Sequence, residues 1–144
     1  MSENKHLISG PISPVFVTEK LSEHQDKTNI GAHAFFLGQV REDKKEECQI
    51  SGIEYTAYEE MVGKVITEIK DCLFAKYDDL ICMHIYHSTG MVKIGEISLF
   101  VLVSSGHRKQ SFAALEECIE LIKEKLPVWK KEIFNDGSHH WQGA

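Results

Sequence analysis

Two segments of this chain, Glu59 to Tyr77 and Ser111 to Leu126, repeat apolar residues at helical spacing, and each lies between β-rich runs. In the first, Met61, Val62, Val65, Ile66, Ile69, Cys72 and Leu73 gather on one face, which predicts an amphipathic helix lying on a sheet. In the second, Phe112, Leu115, Ile119, Ile122 and Leu126 form the stripe, and Pro127 ends it, because proline has no N–H to continue the helical ladder. Gly31 to Val40 and Ile50 to Tyr58 read as strands joined by a charged loop, Arg41 to Glu47. Leu80 to His87 and Ile97 to Ser104 read as two more, separated by a turn with Gly90 and Gly95. Residues 6 to 17 are β-branched but broken by Gly10, Pro11 and Pro14, an irregular edge strand, and Thr18 is a candidate cap for a short helix reaching about Gln25. The expected class is α+β, with two main helices packed on a mixed or mostly antiparallel sheet.

No repeat, low-complexity tract or Ser/Pro-rich linker interrupts the 144 residues, so one domain over 1–144 is expected. Sixteen Lys plus Arg against 22 Asp plus Glu leave a net charge of −6, which argues against a nucleic-acid or anionic-membrane partner, since both need net positive potential. Any anion site must be a local basic patch. The N-terminus carries no apolar run of signal-peptide length, and no stretch approaches the roughly 20 residues that span a bilayer, so a cytoplasmic protein is expected. Cys48, Cys72, Cys82 and Cys118 contain no CxxC pair and read as reduced core thiols, or as including one reactive sulfur carrier.

The only two arginines, Arg41 and Arg108, both follow a predicted strand beside a turn-capable glycine, in GQVR and SSGHR. A guanidinium fork there suits phosphate or carboxylate oxygens, and His107 adds an imidazole at a helix N-terminus, where the dipole favours an anion. One shared anion site built from Arg41, His107 and Arg108 is expected. Lys123 falls on the border of the second helix's stripe and Lys130 just beyond Pro127. Each is either a solvated cation or a pocket lysine fit for acid–base or nucleophilic work. Cys82 and His84 share one face of a strand and His87 takes the other, so that trio does not converge on a metal. No GxGxxG, Walker, GxSxG or HExxH motif is present, and neither a cofactor nor a metal is expected.

Taken in order, FFLGQVRED, GIEYTAYEEM, TGMVKIGE, VLVSSGHRKQSFAA and LIKEKLPVWKKE followed by DGSHHW resemble the MoaE family, the large catalytic subunits of molybdopterin synthases, over about residues 31 to 141. The resemblance implies an α/β hammerhead fold and a sulfurtransferase. Its substrate would be cyclic pyranopterin monophosphate (precursor Z), converted to the dithiolene of molybdopterin. The sulfur would come from the C-terminal Gly-Gly thiocarboxylate of a small ubiquitin-like subunit, with two copies of each chain in a heterotetramer built on a homodimer. Carried over residue by residue, Arg41 and the His107-Arg108 pair match the family's pterin-phosphate site and Lys123 and Lys130 its active-site lysines. Lys123 is expected nearest the reacting atoms, as an acid–base group or a transient covalent participant, with Lys130 supporting anion binding. Phe36 and Met61 match apolar positions near the pocket, while Leu121 and Trp129 offer apolar contact between chains. Where many members read HRxG this chain has His87-Ser88-Thr89-Gly90, so that turn is expected to stand apart from the substrate site. The alternative is a non-catalytic phosphate-ligand or protein-binding module on the same scaffold, keeping Arg41 and Arg108 with no need of Lys123. A metal-binding structural protein using Cys82, His84 and His139 is a third reading.

Overall fold

In the computed structural model, which describes residues 5–45 and 48–142, the elements follow one another as β1 (Leu7–Ser9), α1 (Pro14–Ser22), β2 (Ala32–Gln39), β3 (Lys44–Lys45), β4 (Cys48–Ala57), α2 (Glu59–Lys76), β5 (Leu80–Lys93), β6 (Ile97–Ser105), α3 (Arg108–Lys125), β7 (Val128–Phe134) and β8 (His139–Gln142). The strands make one sheet in the order β2-β6-β5-β4-β7-β8, with β1 added parallel to β5 and β3 added antiparallel to β4. The other pairings along it are antiparallel, giving the α+β architecture expected from the alternation of helical and β-rich segments.

β6 reads as an almost unbroken apolar run because both its faces are covered. Leu99, Val101 and Val103 meet Val62, Ile66, Ile69 and Leu73 of α2 and Ala114, Cys118 and Ile122 of α3 on one face. Phe100 and Leu102 meet Ile12 and Val17, at and before α1, on the other. Each such side chain contributes about 1.5–3 kcal/mol on full burial. Among the described residues no helix is long and apolar enough to cross a membrane.

The N-terminal reading needs correction. Only Leu7–Ser9 is strand, and α1 begins at Pro14, capped by Ser13 rather than Thr18. The Ser13 hydroxyl accepts the Phe16 N–H at 3.1 Å, and Pro14 fills the first helical position, where a missing N–H costs nothing. The helix stops at Ser22 rather than near Gln25. Gly90 is no turn either: β5 runs on to Lys93 and the reversal falls at Ile94 and Gly95. Gly90, at φ +80°, stands where one edge of β5 changes partner, from β1 ending opposite Thr89 to β4 opposite Gly90. The charged loop after Arg41 closes partly into a hairpin, Lys44 opposite Gln49, while Glu46 and Glu47 of that loop lie outside the described residues.

The buried stripe of α3 is Ser111, Ala114, Cys118 and Ile122, rotated from the expected one, and Phe112 is 61% exposed. Small side chains on this face let α3 approach α2 and the sheet closely, which bulkier ones would prevent. The same rotation turns Leu121 half-buried against the core, so it does not offer the free apolar contact expected of it; Trp129 is exposed.

Candidate active site

α3 ends where Pro127 breaks the helical ladder, and the backbone becomes extended at Leu126 before β7 begins at Val128. This reversal brings Lys123, in the last helical turn, and Lys130, in the strand, to one open cavity of about 710 Å³. Across the β4–β7 ladder Lys130 lies opposite Tyr55, another lining residue. The end of β2 and the residues after it supply Phe36, Val40, Arg41 and Asp43, and β6 supplies Ser98 and Leu99.

Buried polar groups hold this wall in place. The Tyr55 hydroxyl donates to Ser98 Oγ at 3.0 Å, and its ring meets His87 edge-on with centroids 5.0 Å apart. His87 Nδ1 lies 2.8 Å from the Ser88 carbonyl, which only accepts, so the ring donates there and a neutral imidazole presents a bare Nε2. Burial, chiefly, and the nearby Lys130 ammonium hold the His87 pKa below its ordinary value. Glu132, also buried, accepts from Gln142 Nε2 at 2.7 Å. At the mouth, Arg41 is 84% exposed and grips Asp43 through Nε to Oδ1 at 2.6 Å and Nη2 to Oδ2 at 3.3 Å. An exposed pair of this kind is weak, so an arriving anion can displace the carboxylate.

His107 and Arg108 lie elsewhere. They line a second cavity of about 590 Å³ with Gly31, Ala32, Gly106 and Lys109, and the His107 N–H donates to Asp79 Oδ2 at 2.7 Å. Both arginines do follow strands, but β2 and β6 are antiparallel, Ala32 opposite Ser105 and Gln39 opposite Ile97, so the two exits lie at opposite ends of the sheet. The seven steps along β2 separate them by roughly 23 Å. Within one chain, the expected shared Arg41–His107–Arg108 anion site is not built. Met61, in the first turn of α2, is at the surface and lines neither cavity.

Spacing points to none of Tyr55, Ser98 and Glu132, and it raises His87 only as a metal ligand. The available signal was parity: His87 shares the core face of Met83 and Ile85, where a histidine among apolar residues must find polar company. The segment from His87 to Gly90 was expected to stand apart from the site, yet His87 is part of its wall. Cys82 and His84 do face away from His87, and His139, exposed on β8, is separated from them by β4 and β7, so the Cys82–His84–His139 trio does not form.

Similar proteins share this scaffold. The molybdopterin synthase catalytic subunit of Aspergillus niger is 38% identical over 132 residues, 92% of this chain and 70% of that protein. The X-ray crystal structure of molybdopterin synthase from Staphylococcus aureus matches with a TM-score of 0.85 at 35% identity, covering all of both chains. A complex of subunits 1 and 2 of molybdopterin-converting factor from Helicobacter pylori provides the same fold at 24% identity and a TM-score of 0.78, over 94% of this chain and 87% of that one. The family model described as MoaE protein matches residues 11–125, a span holding Phe36, Arg41, His107, Arg108 and Lys123, and with that match over most of its length the chain belongs to the MoaE family.

Proposed function

We propose that this chain, as one catalytic domain, carries out the sulfur transfer that makes molybdopterin from cyclic pyranopterin monophosphate, taking sulfur from the C-terminal thiocarboxylate of a small ubiquitin-like partner. The observation that carries this reading is the meeting of Lys123 and Lys130 in one cavity with Arg41 at its mouth. A substrate phosphate and a partner thiocarboxylate are both anions, and a chain of net charge −6 has collected cations around one opening. Lys123 acts on the reacting carbons as acid–base group or nucleophile, Lys130 holds the anionic tail, and Phe36 supplies an apolar wall for the pterin. Arg41 trades its hold on Asp43 for the substrate.

His107 and Arg108 serve the same substrate from a second copy of the chain. In that homodimer the α3 N-terminus of one copy faces the lysine cavity of the other, and one small subunit per copy completes a heterotetramer. Among the described residues Cys48, Cys72, Cys82 and Cys118 form no disulfide, which accords with a reducing, cytoplasmic setting. The test is to mix the purified chain with thiocarboxylated partner and precursor and to assay molybdopterin. Formation that depends on this chain is expected, and none at saturating partner would overturn the reading.

A further inference from the structure

We propose that His24, Cys82 and His84 form a zinc site on the face of the sheet opposite the lysine cavity. Their ligating atoms, two imidazole nitrogens and a thiol sulfur, lie within 4.8 Å of one another. Strand alternation puts Cys82 and His84 on the α1 face of β5, and the turn that follows α1 folds His24 down onto them. His24 is 4% exposed and Cys82 7%, so the cluster is inside the protein.

The hydrogen bonds around the cluster aim lone pairs inward. His24 Nδ1 lies 2.7 Å from the Lys20 carbonyl, which can only accept, so Nδ1 carries the hydrogen and Nε2 is left bare. That Nε2 is 2.8 Å from His84 Nε2. In the metal-free protein His84 bridges the gap with an Nε2–H. Moving that hydrogen to its own Nδ1 directs two lone pairs at one point with no change of charge. A carbonyl fixing the far nitrogen of a ligating histidine is the usual support of a metal site.

Cys82 Sγ accepts from the Lys27 ammonium at 3.1 Å, and zinc would bind the sulfur as thiolate, releasing the thiol proton. With Zn–N of about 2.0–2.1 Å and tetrahedral angles, two nitrogen ligands stand about 3.3 Å apart, so the imidazoles need to open by only about 0.5 Å. Two nitrogens and a thiolate suit zinc, and water fills the fourth position. His84 lies opposite Leu102 across the β5–β6 ladder, next to an apolar cluster. The inference is independent of the sulfur-transfer reading.

The test uses the full chain, stripped with chelator and titrated with zinc by calorimetry, with cobalt as a spectroscopic probe. One zinc per chain and a thiolate-to-cobalt charge-transfer band are expected. Cys82→Ser and His84→Gln should each weaken zinc binding more than about 100-fold, beyond what loss of an outer-shell partner does, while far-UV circular dichroism stays that of the parent. A His139→Ala/His140→Ala protein should bind zinc as the parent does. Absence of zinc binding, binding unaltered in Cys82→Ser, or binding abolished in the His139→Ala/His140→Ala protein would each overturn the proposal.

Discussion

Lys130 faces Tyr55 across the β4–β7 ladder, and Tyr55 is pinned by its hydroxyl to Ser98, so the lysine stands on a wall tied to a third strand. Tyr55→Phe removes that tie while keeping the ring against His87. It is expected to destabilise the fold by about 0.5–1.5 kcal/mol, read as a lower urea midpoint at unchanged m-value.

Lys123 is exposed at the end of α3, so Lys123→Ala should shift stability by no more than about 0.5 kcal/mol. Molybdopterin formation, in contrast, should nearly vanish. Lys123→Arg should not restore it, because a guanidinium stays protonated and can neither shuttle a proton nor attack. Substantial turnover by Lys123→Ala with saturating thiocarboxylated partner would shift the role to Lys130.

Arg41 and Arg108 lie too far apart to serve one substrate within a chain. If each active site joins Arg41 of one copy to Arg108 of another, Arg41→Ala and Arg108→Ala are each inactive alone. Mixed and reassembled, they form heterodimers with one intact site, recovering about a quarter of the parent activity under random pairing. No recovery, with heterodimers verified by native mass spectrometry, would confine each site to one chain.

Acid should unfold the protein through two neutral histidines. Burial is the main reason that His87 titrates below its ordinary value, and burial, followed by His24 and the nearby lysines, takes His84 down to about 4. Both folded pKa values lie under the unfolded one near 6.5, so the unfolded chain binds more protons between them. Stability is therefore complete above about pH 6.5 and declines as pH falls toward 4. Urea midpoints of metal-free protein at pH 7.5 and 5.0 should differ in that direction, and His87→Leu should reduce the difference.

The helix α2 was legible because five large apolar residues, Val62, Val65, Ile66, Ile69 and Leu73, occupy the face that is in fact buried. The span of α3 and its stop at Pro127 were legible too, but its buried face was not, since a stripe sought among bulky residues passes over Ser111, Ala114 and Cys118, whose smallness is what close packing selects. The lysine pair was legible through the LIKEKLPVWKKE resemblance, since spacing alone leaves each lysine between a solvated and a pocket role, although the proline stop does set their separation locally. The arginine pair misled, since position at a strand exit says nothing of strand direction. His24 lies 60 residues from His84, and only the docking of the turn after α1 brings them together.

The passage from Leu126 through Pro127 to Val128 also acts as a ruler. Strand side chains alternate, so the residue count between helix stop and ladder decides which of them points into the chamber. One residue inserted between Val128 and Trp129, with β7 still paired to β4, would swing the Trp129 indole into the place of the Lys130 ammonium and cast the lysine to the outer face. The chamber would exchange a cation for a slab of hydrocarbon, and the buried Glu132 would leave the wall with it.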